Sequence, residues 1–470
     1  MSPAHARRSR NTRGRSLVLV LVVLLLVGGF FLDRGLGGSN SGVAAALSPT
    51  SVAADTATSS ALSCGGIGIR GDFVASANIE ITNNAPTART VTALVTNGVS
   101  GSVTAAPFSV SPRSSWTFNP SHILNKGSWL SVRLLANGGG LSAVIVPTSG
   151  RSATITPCIS QTSQHWYFAG GSTNHGDQID YAIFNPTETP AVVNVTMVTN
   201  SGVLSPQNAQ GLLVPAGAEY IVSGASEAPN LNDLATTITA EQGAVVAFAT
   251  QLHPSGLSSS IMAGQSSLYG EAVLAHATQD PVSKETLIVA NPTSLASTVT
   301  VSAHTPYGRT APWIETMPAY SIWNLDLTGS SRIPLTSPFA LTVTSTGGGV
   351  STALRVLAMH ASHAGLSLIP LNPMTNTGST LMPAWPGSAL SSLSLFNPGS
   401  KAVAVTIGTQ RSSPGQAVTV PAGTVVALPV GTLSQLAITP FTITGSVITG
   451  GNYAGGVLSA LGAFAALAKN

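Results

Sequence analysis

A chain of 470 residues is long enough for three or four domains, yet only 7% of it is charged, against roughly 25% in ordinary soluble domains. The formal charge of +3 gathers at the start, where Arg7, Arg8, Arg10, Arg13, Arg15 and Arg34 flank one apolar segment; from residue 35 onward there are 13 basic and 15 acidic side chains. That balance excludes a basic stripe for nucleic acid, and an apolar fraction of 43% excludes compositional disorder.

Residues 1–15 predict a basic cytoplasmic tail. Leu17 to Leu32 is uninterrupted apolar residue or glycine. As a helix it spans about 24 Å against a hydrocarbon core of about 30 Å, a gap that snorkelling Arg15 and Arg34 close. Residues 16–34 therefore predict a single-pass anchor in the membrane through residues 17–32, with the N-terminus inside and the C-terminal bulk extracytoplasmic. The rival reading is a cleaved signal peptide, with Ala44-Ala45-Ala46 as an A-x-A-like site well beyond the apolar run. Residues 35–63 are Gly, Ser, Ala and Thr with little else, and predict a flexible linker.

Beyond the linker the chain repeats itself. Strand-like runs end at Asn185-Pro186, Asn291-Pro292 and Asn397-Pro398, with a degraded copy at Asn83-Asn84, so Asn83, Asn185, Asn291 and Asn397 stand 102, 106 and 106 residues apart. Proline pushes the asparagine out of the helical region, and the Asn side chain bonds to the backbone just ahead, which makes a turn. Eight residues after each asparagine comes Val91, Val193, Val299 or Val405, and two further on Ala93, Val195, Val301 or Ile407, the period of a half-buried strand. Turn prolines at 112, 215, 318 and 421 recur every 103 residues, and glycines at 138–140, 243, 347–349 and 450–451 precede each last strand. The expectation is an all-β chain of four tandem antiparallel β-sandwich (immunoglobulin-like) modules at 64–158, 159–262, 263–371 and 372–470.

The second module is the clearest, with strands predicted at Trp166–Ala169, Ile179–Asn185, Ala191–Thr199, Gly211–Val214, Glu219–Ser223, Ala235–Ala240 and Ala244–Gln251. The apolar run Val457 to Leu467 is too short to span a bilayer and predicts the final strand. Cys64 and Cys158 bracket the first module, and an even cysteine count in an exported chain predicts a disulfide between them. Closing a loop of that length contributes about 4–5 kcal/mol in the chain-entropy model.

Trp166-Tyr167-Phe168-Ala169-Gly170-Gly171-Ser172-Thr173, Asn185-Pro186, Pro190 to Thr196 and Val214-Pro215-Ala216-Gly217 together resemble the domain of unknown function 5719 family. That resemblance implies a secreted or membrane-anchored protein of actinobacterial type and assigns no activity or site.

Chemistry is sparse. The chain has no nucleophile elbow, no H-E-x-x-H and no P-loop. His360 and His363, three apart on one strand, would point to opposite faces and read as two histidines at a strand end. Asn174, Asp177 and Asp180 offer loop oxygens, but not at the spacing of a known calcium loop. Asp177 with Asp180 and Asp280 with Glu285 are the close carboxylate pairs, and no acid follows Asp326. No catalytic residue, metal or cofactor is assigned. Trp313 and Trp323 are the candidate glycan platform, an aromatic face suiting a sugar ring, against the ordinary reading of such residues as core. The sequence thus points to a non-catalytic structural or interaction scaffold of the bacterial cell envelope, touching cell-wall polysaccharide or envelope proteins and no nucleic acid. The alternatives are a carbohydrate-binding envelope protein and, behind it, an anchored hydrolase.

Overall fold

A computed structural model describes residues 42–47, 58–69, 77–98, 101–147, 155–253, 258–279, 283–360, 363–373, 379–382, 390–409, 416–428, 441–444, 448–453 and 456–460. All of them lie in the second of two units, Met1–Asn40 and Ser41–Asn470. The expected anchor at 17–32 lies outside the described residues. Among those residues no helix is long and apolar enough to cross a membrane, and the one α-helix is the single turn Gly224–Glu227.

Apart from the 3-10 turns Pro120–His122 and Gln207–Ala209, the other regular elements among the described residues are strands, and they form eight sheets in two series. In the second sheet pair, one sheet runs Ser258–Ala263, Val246–His253, Gln178–Phe184, Glu219–Ser223, all antiparallel. Its partner runs His165–Phe168, Ala235–Gln242, Ala191–Thr199, with Leu212–Val214 also on the last strand. The same order recurs around Ala77–Asn83, Ser283–Asn291 and Leu390–Phe396 in the first kind of sheet, and around Arg89–Thr96, Ser297–Thr305 and Val403–Thr409 in the second. We call the first kind front sheets and the second back sheets.

The periodicity of the back sheets follows from burial on one face. In Ala191–Thr199 the side chains of Ala191, Val193, Val195 and Met197 are buried and those between them half-buried. The front strands do not alternate. Gln178–Phe184 and Ser283–Asn291 are buried on both faces after their first residues. Ile179, Tyr181 and Ile183 form one row, and the Tyr181 hydroxyl meets Thr236 Oγ1 of the back sheet at 2.7 Å, so that row faces the sandwich interior. The other row, through Ala182 and its cross-strand partner Phe248, faces the preceding sheet pair.

One bulge makes that contact each time. The first back-sheet strand slips register between Cys64 and Ile67, and the third between Leu274 and Ala277. At Gly66 (φ +71°) a Cβ would lie 2.7 Å from Thr250 Oγ1 of the second front sheet, and Thr250 Oγ1 donates to the Gly66 carbonyl at 2.8 Å. At the matching Gly170 (φ +82°) a Cβ would lie 2.7 Å from Ile288 Cδ1 of the third front sheet. Both positions need glycine for backbone and for space. The third equivalent is His276, buried, with Nδ1 2.6 Å from Ser394 Oγ of the fourth front sheet. Apolar burial runs through these junctions: Ala290, Ala353 and Leu368 of the third front sheet join the core of the first two pairs, and Phe396 and Val425 join that of the third.

Cys64 and Cys158 are disulfide-bonded, with Cα atoms 4.5 Å apart. Ser63 and Ile159 form a bridge beside them. Bridges at Tyr167–Gln265 and Val273–Asn372 put Phe168 with Gly264, and Leu274 with Leu371, at the matching places. Apolar contact closes there what sulfur closes in the first pair.

Two expectations need correction. The expected linker 35–63 contains strand: Gly42–Leu47 pairs in parallel with Gly456–Ala460, and Ser59–Gly68 opens the first back sheet five residues before Cys64. A Gly/Ala/Ser run with no core of its own still adds to an open sheet edge through its backbone. Of the strand expected at 457–467, Gly456–Ala460 is strand, and 461–467 lie outside the described residues. His360 and His363 are not on one strand: they are cross-strand partners on Ser351–His360 and His363–Pro370.

Candidate functional site: a cleft between the second and third sheet pairs

Where the long side chains of the third front sheet meet two loops of the second sheet pair, the junction opens into a cleft of about 360 Å³. That is near the lower end of small-molecule sites. The loops are the segments 169–177 and 228–234, and Thr173 ties them. Its N–H donates to the Leu231 carbonyl at 2.8 Å, its hydroxyl to the Ala228 carbonyl at 2.5 Å, and it accepts from Leu231 N at 3.0 Å. Asn174 Nδ2 donates to Asn232 Oδ1 at 2.5 Å across the same gap. His175 (φ +51°) and Asn230 (φ +60°) sit in left-handed backbone at the two turns.

The loops set two acids, Asp177 and Asp233, against basic side chains of the neighbouring strands. His253 Nδ1 contacts Asp177 Oδ1, and Arg355 Nη1 donates to Asp233 Oδ1 at 3.2 Å and to the Asn232 carbonyl at 3.3 Å. The opposite wall is a grid set by strand register: Lys284, Leu357 and Leu366 in one row, Thr286, Arg355 and Leu368 in the next. An Asp–His pair facing a cleft has the first two parts of a nucleophile relay. The third is missing among the described residues. Ser172 lines the cleft, but its hydroxyl donates to the Leu231 carbonyl at 3.3 Å and accepts from Asn174 N, and none bonds to His253.

The other sequence candidates scatter. Asn174 binds Asn232 and Asp177 binds His253, while Asp180 lies on the buried outer row of Gln178–Phe184, where it accepts from Gln178 Nε2 at 2.5 Å. Burial raises its carboxyl above the ordinary range, against the lowering effect of bonds from Gln178 and Ser223. Among the described residues no three His, Cys, Asp or Glu side chains are grouped to hold a metal ion. Glu285 is buried, and Asp280 lies outside the described residues.

Trp313 and Trp323 are both half-buried, packed on the core of the third pair, with the Arg332 guanidinium 4.7 Å from the Trp313 ring. Trp323 occupies a recurring place. Trp116, Tyr220, Trp323 and Val426 each lie opposite the residue two before the turn asparagine. Trp116 is the most open of the three aromatics, 48% exposed, its ring stacked on Phe108 at 6.0 Å. In the sequence these residues stand four residues after Pro112 and five after Pro215, Pro318 and Pro421.

The four asparagines sit at one turn. Each Oδ1 accepts from the backbone N–H two residues ahead, at 3.0, 3.0, 3.1 and 2.9 Å for Asn83, Asn185, Asn291 and Asn397. Each Nδ2 donates to the carbonyl four ahead (Thr87, Thr189, Leu295, Lys401) and to one at the turn proline (Val110, Val214, Pro318, Val420).

One further group was invisible in the sequence. Glu219, on the outer row of the second front sheet, is buried and accepts from Ser131 Oγ of the first pair at 2.6 Å. Burial pushes its carboxyl up to about 8, against the lowering effect of that bond.

Residues 147–337 match the model of a family described as "Family of unknown function (DUF5719)", so the resemblance drawn from the motifs holds over that stretch. No curated protein matches the sequence. Among solved structures, Thermotoga maritima 1070 is 15% identical over 22% of this chain and 90% of its own, with a TM-score of 0.20. The tetra-tandem repeat in the extending region of a large adhesion protein is 14% identical over 90% of this chain and all of its own, with a TM-score of 0.09. Escherichia coli alpha-2-macroglobulin in its native conformation is 9% identical over 85% and 39%, with a TM-score of 0.15. Scores this low carry no argument about fold or function.

Proposed function

We propose that this chain, whose residues 147–337 carry the DUF5719 match, is a membrane-anchored, extracytoplasmic scaffold of the bacterial cell envelope, non-catalytic and built from four tandem sandwich modules. The observation that carries the reading is the repeated junction: Gly66, Gly170 and His276, at one bulge, each pack on the next front sheet. An enzyme needs a cleft with a complete reacting set, whereas a scaffold needs modules held in fixed relation, and the buried outer rows of the front sheets supply that. Low charge suits contact with a dense glycan layer.

Scattering from the full chain in detergent tests this, comparing wild type with Gly170→Val, whose side chain meets Ile288. The reading expects one fixed set of module distances in wild type and a broadened one in the variant. Freely jointed modules in wild type would overturn it, as would a hydrolytic activity that Asp177→Ala abolishes. The carbohydrate-binding alternative is favoured by Trp116 more than by Trp313 and Trp323, because its ring is the more open.

A further inference from the structure

One cation of the inter-module cleft, Lys284, is paired with no acid among the described residues. Lys284 and Arg355 stand at diagonal positions on neighbouring strands of the third front sheet, on the face turned to the cleft. Residues so placed are within about 7–8 Å, and like charges there repel. Asp233 answers Arg355, and Asp177 is already engaged with His253. Lys284 is exposed and makes no ion pair among the described residues. Arg355 spends one amino group, Nη1, on Asp233 and the Asn232 carbonyl, and its Nη2 and Nε make no hydrogen bond among those residues. Beside these donors lie Leu357, Leu366 and Leu368, an apolar floor with the two latter residues buried.

A planar guanidinium edge beside an ammonium suits a carboxylate, and aliphatic side chains next to it suit the carbon body attached to that carboxylate. We propose that the cleft binds a small carboxylate with an apolar body, such as an acylated amino acid or the C-terminus of a peptide. Lys284 and the uncommitted edge of Arg355 hold the carboxylate, and Leu357, Leu366 and Leu368 hold the body. All five residues lie on the third front sheet, and Ser172, Asn232 and His253 of the second pair line the rest of the cleft. This goes beyond the scaffold reading and does not depend on it, since a scaffold without the cleft's charge pattern would bind nothing there.

Calorimetric titration of the full chain with N-acetyl-leucine, N-acetyl-leucinamide and N-acetyl-alanyl-alanyl-leucine tests it. The acid should bind at least about tenfold more tightly than the amide, because only the acid forms charge-assisted bonds. Lys284→Met should remove most of that preference with an unchanged melting temperature, its side chain being exposed. Tighter binding of the tripeptide assigns a peptide terminus, and equal binding assigns a free acylated amino acid. Acid and amide binding equally, neither binding, or Lys284→Met leaving the preference intact would each overturn the proposal.

Discussion

Each turn asparagine uses one small side chain to satisfy three backbone groups at a buried corner. Asn185 is fully buried, accepts from Thr187 N and donates to the Thr189 and Val214 carbonyls. Removing it leaves those groups unpaired in a place water does not reach, which costs on the order of 2–3 kcal/mol. Asn185→Ala should therefore lower the stability of its module by that amount, read by chemical denaturation. Asn185→Asp should not rescue it, because a carboxylate keeps the acceptor but faces two carbonyls with no donor. A near-neutral Asn185→Asp would show that the Nδ2 bonds matter little. These positions were legible in the sequence because the turn chemistry is local: Asn, Pro and a following valine register suffice. The cleft residues were not. Asp177 was visible as a loop acid, but its partner His253 lies 76 residues away, and Lys284 and Arg355 become neighbours through strand register alone.

At the scale of elements, one-face burial was readable and two-face burial was misleading. Ala191–Thr199 was placed to the residue, because a strand buried on one face writes that face into every second position. The short Gly202–Leu204 and the edge strand Ser258–Ala263 were missed, being brief or polar and serine-rich. The front strands looked like core, yet in the second, third and fourth front sheets one row is a junction with the preceding module. That row explains Glu219. A carboxyl whose folded value is raised to about 8 binds a proton in the folded chain at pH values where the unfolded chain, at about 4.5, has lost it. The folded state then holds more protons than the unfolded one between those values, so stability falls as pH rises through that window. Asp180 and Thr250 lie on the same side of this sheet, and burial raises the Asp180 carboxyl as well, which acts in the same sense. Glu219→Gln keeps the Ser131 contact and removes the titration, so its stability should fall less than that of wild type between pH 5 and 8. Parallel pH curves for the two proteins would refute the assignment.

At the scale of the whole molecule, repetition was the strongest message of the sequence, and the contacts between repeats were its weakest. The repeat is carried by turns, which reappear at a fixed pitch. The junctions are carried by a bulge whose residues differ each time, Gly66, Gly170 and His276, so no motif announces them. The scaffold account stands on those junctions being closed in solution. Thiol accessibility measures this most directly, because the native cysteines are bridged and a single introduced thiol reports alone. Ala182→Cys and Ala290→Cys place that thiol on the outer rows of the second and third front sheets, each about 1% exposed, and Ser201→Cys gives an exposed control. Closed junctions predict that Cys replacements at 182 and 290 resist a bulky maleimide in the native full chain and react only on unfolding. Reaction of either at the rate of the 201 control would contradict the account.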